Sequence, residues 1–359
     1  MKRVLVSVTN DLSTDQRVAK VCTTLHSAGY DILLIGRKLK NSLPLQRNYK
    51  TKRINLLFNK SFLFYAEYNF RLFFLLLFSK KDILLSNDTD TLLANFLVSK
   101  LRRKKLIFDS HELFSEVPEL VNKPFVKKFW IGIEKMIIPK LKNNYTVCNS
   151  IANYYKEKYN TNFKIIKNLP QQKEIELSSF SFKIDGKKVI LYQGSVNIGR
   201  GLELMIDTIQ HLPNCIFVIA GSGDILEDLQ QKTIKLKLEN QVKFLGKLQP
   251  DELIKITPLA DIGISLEEDL GLNYRFALPN KIFDYIQAEV PILVSELPEM
   301  KQIVFNYKVG EVVSDRKPKE LANQITNMLK KDFSIPLKKA KQELVWGAQE
   351  EELLSIFNS

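Results

Sequence analysis

The chain has 359 residues, and 45% of them are apolar. This length exceeds what one hydrophobic core usually supports, so we predict two domains. Three widely separated cysteines argue against a disulfide framework and for a reducing compartment, and the three histidines have no zinc-site spacing. The net charge of +13 divides into +17 for residues 1–170 and −4 for the remainder. The basic first half indicates an anionic partner such as nucleic acid, a membrane surface or a polyanionic substrate.

The first half is predicted to contain five short strands. The initial run, MKRVLVSVT, is interrupted by polar residues and predicts a strand rather than a signal peptide. The others are DILLIG at 31–36, DILLSN at 82–87, KLIFDS at 105–110 and NYTVCN at 144–149.

An aromatic run at 62–78, FLFYAEYNFRLFFLLLF, lies between the second and third of these strands. It is too short and too charged, through Glu67 and Arg71, for a membrane-spanning helix, although their spacing is helical. One interpretation is a helix buried against the first sheet. The other is a peripheral contact with an anionic membrane on the cytoplasmic side, because Lys60, Lys80 and Lys81 flank the run.

The second half is predicted to repeat the strand–helix alternation. Its strands are VILYQG at 189–194, CIFVIAG at 215–221, VKFLG at 242–246, IGISL at 262–266 and PILVS at 291–295. Continuous apolar strands separated by helices predict parallel sheets covered on both faces, and therefore an α/β protein of two doubly wound Rossmann-like domains. We place the first domain at 1–170, a linker at 171–187, the second domain at 188–335 and a final helix at 336–359.

Two glycine-rich turns follow strands of the second half. Gly194, Gly199 and Gly201 surround Arg200 at the start of an amphipathic helix, and Gly221, Ser222 and Gly223 follow the next strand. Glycine allows the backbone to approach a ligand closely, and the N–H groups of a following helix suit a diphosphate. Glycine is also common in tight turns that bind nothing.

A third signal is ALPNKIFDYI at 277–286, where Pro279 indicates a helix start near Asn280. Lys281 and Asp284 would then be neighbours on the helix surface. A lysine at the helix tip suits a phosphate and a carboxylate one turn later suits the hydroxyls of a ribose. The alternative is an ordinary surface ion pair.

In order, ILYQGSVNIGRGLELMI, VIAGSGD, VKFLGKLQPDELIKITPLADIGIS and LPNKIFDYIQAEVPILVS resemble the donor-binding half of glycosyltransferase family four. STDQRVAKVCTTLHSAGYDILLIGR, KLIFDSHELFSE, NYTVCNSIANYY and KIIKNLP resemble its acceptor-side half. The resemblance implies the GT-B fold, with two facing Rossmann-like domains and a final helix that crosses back to the first. It also implies a retaining transfer of sugar from a nucleotide donor to a glycan or lipid-linked acceptor, in cell-surface polysaccharide synthesis, without a metal or other cofactor.

The resemblance also assigns roles to single residues. His111, Arg200 and Lys281 would be catalytic, with the two cations on the donor diphosphate and Asp284 on the ribose. The other donor-side residues would be Gly194, Ser195, Gly201, Gly221, Ser222, Gly223, Lys247, Leu248 and Asn280. The acceptor side would comprise Asp15, Arg17, Asp109, His111 and Glu112.

Three departures from the family pattern stand out. Ser195 replaces a common arginine, and the loop TNDLSTDQR lacks the usual glycine pair. The family's two carboxylates, separated by seven residues, would fall on Phe276 and Asp284, so that only the second is acidic. Either Glu267 or Glu268 would then supply the first carboxylate.

Three other functions compete with this interpretation. Asp88 and Asp90 have the aspartate spacing of metal-dependent, single-domain GT-A glycosyltransferases, although we favour a helix N-cap at this position. A sugar-nucleotide epimerase of similar architecture would bind the same donor. The basic run KLRRKK at 100–105 could suit nucleic acid, but it lies in no recognisable binding module, and we expect no nucleic-acid partner.

Overall fold

The computed structural model describes residues 1–13, 15–117, 120, 123–172, 176 and 178–358. The chain forms two compact units. The first contains residues 1–168 and 349–359, and the second contains residues 169–348.

The first unit is built on a seven-stranded sheet with the strand order β3-β2-β1-β4-β5-β6-β7. All of its strand pairings are parallel. Its strands are β1 Arg3–Asp11, β2 Asp31–Arg37, β3 Lys50–Ile54, β4 Ile83–Asn87, β5 Lys105–Ser110, β6 Asn143–Thr146 and β7 Lys164–Ile165. The helices between them are α1 Gln16–Ser27, α2 Ser61–Phe78, α3 Thr89–Arg102, α4 Pro124–Ile137 and α5 Asn149–Tyr159.

Helices α2 and α3 cover part of one face of this sheet. Phe64, Tyr68, Leu72 and Leu76, four residues apart along α2, pack with Leu5 and other strand and α3 residues in one buried cluster. The four-residue spacing places them on one side of the helix, which anchors α2 to the sheet. The structure thus confirms a helix in the aromatic run and buries one of its faces.

The second unit contains a six-stranded parallel sheet with the order β10-β9-β8-β11-β12-β13. Its strands are β8 Lys188–Gln193, β9 Cys215–Ala220, β10 Val242–Gly246, β11 Ile262–Ser265, β12 Ile292–Val294 and β13 Gly310–Val312. Its helices are α6 Leu202–Ile209, α7 Leu226–Lys235, α8 Pro250–Ile256, α9 Leu272–Arg275, α10 Asn280–Gln287, α11 Pro298–Tyr307, α12 Pro318–Met328 and α13 Ser334–Glu343.

Apolar residues cover both faces of the second sheet. Along β8, Ile190 and Tyr192 belong to one buried cluster, whereas Val189 and Leu191 belong to another. Successive strand residues point to opposite faces, so each cluster is the core on one side. Both units therefore show the predicted parallel Rossmann-like architecture, and the fold class is confirmed.

The structure adds strands that the apolar patterns did not predict. β3 has the sequence KTKRI and pairs with β2 alone, with its first three residues exposed. β7 and β13 contain two and three residues and lie at sheet edges. An edge strand needs no continuous apolar sequence because one side and often one face meet water.

The predicted linker, 171–187, contains residues 173–175 and 177, which lie outside the described residues. Phe180, Phe182 and Ile184 of this segment pack against a core cluster of the second unit. The change of unit falls earlier, between Asn168 and Leu169.

The segment 336–359 is not one helix. Helix α13 ends at Glu343, a short turn occupies Trp346–Gln349, and a final helix, α14, spans Glu350–Asn358. Gly347, a poor helix former, lies in that turn.

Helix α14 belongs to the first unit, so the chain returns there as the fold class predicts. The Thr24 hydroxyl donates to Glu350 at 2.6 Å, and the Tyr30 hydroxyl donates to Asn358 at 2.7 Å. Lys105 Nζ donates to the carbonyl of Ile356 at 2.8 Å, near the negative end of the helix dipole.

Candidate active site

Arg200 and Lys281 meet at one buried carboxylate in the second unit. Arg200 precedes α6, Lys281 lies in the first turn of α10, and Glu267 follows β11. Lys281 Nζ lies 2.7 Å from Glu267 Oε1, and an Arg200 guanidinium nitrogen lies 3.5 Å from the same atom. The three groups, two cations and one anion, form what we call the cation pair site.

The environment keeps Glu267 ionised. Its side chain is fully buried, which opposes ionisation, but Lys281, a hydrogen bond from Ser265 and Arg200 hold its pKa below the ordinary value. Lys281 is itself buried and lies 4.2 Å from the centre of the Tyr192 ring. The site therefore retains one net positive charge held in a fixed geometry, which suits an anion.

Arg200 is the more accessible cation. Its side chain is a quarter exposed and its guanidinium lies 5.2 Å from the centre of the Tyr274 ring. Its Nε is buried and has no hydrogen-bond acceptor in the described part of the chain. A buried donor without an acceptor is costly, so this N–H is available to an anionic ligand.

Asp284 does not form the surface ion pair that the sequence left open. Lys281 pairs with Glu267 instead. The Asp284 carboxylate accepts a hydrogen bond of 3.1 Å from Gln193 Nε2, and Thr257 donates to the oxygen of the same amide. Gln193, at the end of β8, is the residue by which the fold fixes Asp284, and sequence reasoning missed it.

Backbone hydrogen bonds connect the two glycine-rich turns. Gly194 N–H donates to the Ala220 carbonyl and Val196 N–H donates to the Ser222 carbonyl, each at 3.0 Å. A Cβ at Gly221 would lie 1.8 Å from the Gly194 carbonyl oxygen. This close approach explains the glycine at 221 by packing between turns.

The other predicted donor-side residues lie in segments that follow strands or open helices at the same edge of this sheet. Parallel strands bring their carboxyl ends to one edge, where ligands of doubly wound domains bind. Ser195 follows β8, Ser222 and Gly223 follow β9, Lys247 and Leu248 follow β10, and Gly201 and Asn280 open α6 and α10.

Of the two candidate carboxylates, Glu267 contacts the cations. Glu268 is partly exposed and lies 3.8 Å from Arg316, and Phe276 follows the last residue of α9. Arg316 also donates to the Leu266 carbonyl, beside Glu267. Nothing in the local sequence around Arg316 indicates this position, since it depends on the packing of the segment after β13.

In the first unit, His111 is held by two carboxylates. Its Nε2 lies 3.0 Å from Asp109, and its Nδ1 lies 3.2 Å from Asp88. Asp109 is fully buried and pairs through both oxygens with Arg17, which also donates to the Ile166 carbonyl. Arg17 and His111 keep the pKa of Asp109 low despite its burial.

Asp88 occupies the N-cap position of α3 but its side chain does not cap the helix, contrary to our expectation. Its carboxylate instead accepts the backbone N–H of His111 at 2.8 Å. Its φ of +56° and ψ of 168° differ from the usual extended backbone of an N-cap residue. Asp90 is buried and accepts from the Thr9 hydroxyl, and burial raises its pKa to about 8. The chain also has two parallel-sheet units, whereas the alternative GT-A glycosyltransferases have a single domain.

Asp15 and Glu112 lie near this network but make other contacts. Asp15 caps α1, because its side chain accepts from Val18 N–H at 3.1 Å. The Glu112 carbonyl accepts from the Ser110 hydroxyl. The structure thus brings Arg17, Asp109 and His111 together, whereas the contact seen for Asp15 stabilises a helix start.

We expect His111 to be protonated at neutral pH. Burial favours the neutral ring, but Asp88 and Asp109 outweigh it and raise the pKa of His111 to about 9. Because this value exceeds the ordinary value of 6.5, the stabilisation from the charged ring is lost as the pH rises through 9. Burial raises the pKa of Asp88 to about 7, so Asp88 contributes to this stabilisation only above about pH 7, whereas Asp109 stays ionised.

The three histidines allow a direct NMR titration of the imidazole C–H resonances, assigned with His111→Gln. We expect Asp88→Asn to lower the pKa of His111, since asparagine has nearly the size and shape of aspartate but carries no charge. A wild-type His111 that titrates at or below 6.5 would contradict this electrostatic account.

Comparison with known proteins finds similarity to a family of transferases in the second unit. Residues 174–344 match the family model described as glycosyl transferases group 1. Chitobiosyldiphosphodolichol beta-mannosyltransferase of Candida albicans is 24% identical over 64% of this chain and 56% of its own length. Alpha-galactosylglucosyldiacylglycerol synthase of Streptococcus pneumoniae is 25% identical over 53% of this chain and 49% of its own length. The chain thus spans about half the length of these relatives.

Solved structures cover the whole chain. Sucrose-phosphate synthase from Thermosynechococcus elongatus superposes with a TM-score of 0.82 at 13% identity, over 100% of this chain and 98% of that one. Anabaena HepE in complex with UDP-glucose gives 0.73 at 14% identity over 100% of both chains. Residues 174–344 of the second unit are thus similar to glycosyl transferases group 1, and the chain has the GT-B fold of two Rossmann-like domains.

Proposed function

We propose that this protein is a glycosyltransferase that moves a sugar from a nucleotide donor to a lipid-linked or polysaccharide acceptor. The observation that carries the proposal is the cation pair site, at the edge of the sheet where ligands of this domain type bind. The relatives' names support it, since one acts on a diphosphodolichol-linked and another on a diacylglycerol-linked substrate. HepE was solved with UDP-glucose, which supports a nucleotide-sugar donor.

In the proposed reaction, the bond between the anomeric carbon and the donor phosphate oxygen breaks as the acceptor oxygen bonds to that carbon. The acceptor attacks from the same face of the sugar that the diphosphate leaves, which retains the configuration without a carboxylate nucleophile. The departing diphosphate takes the acceptor's proton. Arg200 and Lys281 stabilise the negative charge that develops on the leaving group, and the α6 N-terminus adds its dipole. Glu267 fixes Lys281 for this task before the donor arrives.

We further propose that the transfer retains the anomeric configuration and requires no metal. The relatives' names include both a beta-mannosyltransferase and an alpha-linked product, so stereochemistry needs its own measurement. NMR of the new glycosidic linkage, compared with the donor anomer, tests retention. Unchanged turnover in EDTA tests metal independence, and a loss that Mg²⁺ restores would overturn it.

The function is tested by screening nucleotide sugars for binding and then for transfer. A cognate donor should release free nucleoside diphosphate only when an acceptor is present, as the labelled sugar enters that acceptor. Conversion of the donor into an isomeric nucleotide sugar without release would instead identify an epimerase.

Asp284 should affect donor affinity more than turnover. A ribose contact is made equally in the ground and transition states, so its loss raises the Michaelis constant while kcat changes little. We expect Asp284→Asn to raise the donor Michaelis constant about 10- to 100-fold, as for loss of a hydrogen bond to a charged group. Steady-state kinetics with Asp207→Asn, a surface carboxylate of α6 paired with Lys232, provides the control. A collapse of kcat at unchanged donor affinity would show another role for Asp284.

A further inference from the structure

Helix α2 has one face in the core and an opposite face of exposed aromatic residues. Within the described residues it is the one helix long and apolar enough to cross a membrane. Its buried face completes the core against the first sheet, and a helix committed to that core cannot be surrounded by lipid. The exposed face comprises Phe62, Leu63, Phe70, Phe74 and Phe78.

Neighbouring elements extend this apolar surface. Phe62 of α2 contacts Phe129 of α4 edge to face, with ring centres 5.6 Å apart. Most of the exposed large apolar side chains described in the structure fall between residues 57 and 136, and α3 packs against both α2 and α4. Large exposed apolar patches are rare on monomeric soluble proteins. Together with the α2 face these exposed side chains form what we call the aromatic surface, whose further members are Leu57, Phe58, Leu97, Leu101, Phe125, Phe129 and Met136.

The exposed charges on the three helices of this surface are all basic. The acidic side chains of α2, α3 and α4 are largely shielded from solvent: Asp90 and Glu134 are buried, and Glu67 is only 12% exposed. The exposed charged residues of α2, α3 and α4 are Arg71, Lys100, Arg102, Lys128 and Lys135.

Glu67 also shapes the surface. Its carboxylate accepts the backbone N–H groups of Leu57 and Phe58 at 2.9 Å each and pairs with Arg71 at 2.8 Å. These bonds hold two exposed apolar side chains beside the start of α2. The one acidic residue of α2 is thereby paired with a cation.

We propose that the aromatic surface lies on an anionic lipid bilayer, with the rings at the headgroup–acyl boundary and the basic side chains on the headgroups. Exposed aromatic residues combined with cations are the composition that interfacial helices use. A symmetric contact with a second copy would bring the basic side chains against one another, which is electrostatically unfavourable. This inference goes beyond the proposed transfer reaction and does not depend on it.

The same surface adjoins the segment that follows His111. Tyr65 of α2 contacts Phe114 with ring centres 6.3 Å apart, and Lys127 of α4 pairs with Glu116 at 2.6 Å. A bilayer on the aromatic surface would therefore lie close to the loop that carries His111. This placement suits an acceptor that is anchored in the membrane.

Vesicle flotation tests the proposal with the full chain and without any activity assay. Binding should be strong to phosphatidylcholine vesicles that contain phosphatidylglycerol, weak to phosphatidylcholine alone, and lower in high salt. We expect Phe70→Ser/Phe74→Ser/Phe78→Ser to weaken binding at least about tenfold, through loss of apolar burial. Phe305→Ser/Ile335→Ser, two exposed apolar positions of the second unit, is the matched control and should bind like the wild type.

A charge reversal tests the basic component separately. Lys128→Glu/Lys135→Glu should lower affinity for anionic vesicles about thirtyfold or more, since each basic residue lost costs about fivefold. Lys319→Glu/Lys330→Glu, at exposed positions of the second unit, gives the same change in net charge and should have a much smaller effect.

Three results would overturn the proposal. One is no binding to anionic vesicles at low salt, and another is undiminished binding by the triple phenylalanine variant. The third is a wild-type dimer in sedimentation analysis that the same variant dissociates, without vesicle binding, which would make the surface a protein interface.

Discussion

Replacing Lys281 with alanine is expected to lower kcat/KM for the cognate donor about 100- to 1,000-fold, the usual effect of losing one preorganised oxyanion contact. The substitution removes a cation aimed at the leaving group. It also removes the nearer of the two cations that contact the fully buried Glu267 and leaves Arg200 at 3.5 Å. The negative charge of Glu267 would then be less well balanced and would repel the donor diphosphate. Steady-state kinetics and donor calorimetry on the same preparation measure both consequences.

Two further variants separate catalysis from folding. Lys281→Ala/Glu267→Gln removes the partly unpaired carboxylate, so it should recover stability without recovering activity. Lys301→Ala removes an exposed lysine that pairs with Glu296 and should leave activity unchanged. Wild-type kinetics in Lys281→Ala would refute the assignment of the donor diphosphate to this site.

Asp109→Asn is expected to destabilise the first unit by about 3 to 5 kcal/mol, the cost of breaking a buried ion pair by removing one partner. Arg17 is 4% exposed and would lose its charged partner, because asparagine keeps only one of the two oxygens that accept from Arg17. Hydrogen exchange of the amides in α1 and β5 measures this loss as a lower free energy of local opening.

The exposed pair of Lys232 and Asp207 supplies the comparison, since Asp207→Asn should cost less than about 1 kcal/mol. Arg17→Met/Asp109→Leu, which removes both charges, should be more stable than Asp109→Asn. If Asp109→Asn and Asp207→Asn destabilise equally, the buried pair makes no special contribution to the first unit.

The regular elements followed from sequence because buried parallel strands must be apolar along their length. The patterns over 189–194 and 215–221 correspond to β8 and β9, which are buried on both faces. The edge strand β3 escaped prediction because it is exposed and carries three basic residues. Its identity as a strand depends on pairing with β2, which is a tertiary contact.

The donor side was predictable where a residue's role depends on local structure. Pro279 places Lys281 in the first turn of α10, and the segment before α6 places Arg200 near its N-terminus. Sequence left Glu267 and Glu268 as equal alternatives, because only the path of the chain after β11 decides which of them meets Lys281, fourteen positions away.

The contact of Asp88, in contrast, could not be predicted from local sequence. An aspartate before a helical pattern is correctly placed at an N-cap position, but the cap itself requires a suitable side-chain direction. Asp88 has an unusual positive-φ backbone, and its carboxylate accepts the N–H of His111, which follows a different strand. That contact depends on two neighbouring strands and has no local sequence signal.

The most direct test of the glycosyltransferase proposal is the release of nucleoside diphosphate from the cognate nucleotide sugar, measured with and without acceptor. The account predicts release that depends on acceptor, equals the sugar incorporated and falls about 100- to 1,000-fold in Lys281→Ala. Donor isomerisation without release, or release and incorporation that are unaffected by Lys281→Ala, would contradict it.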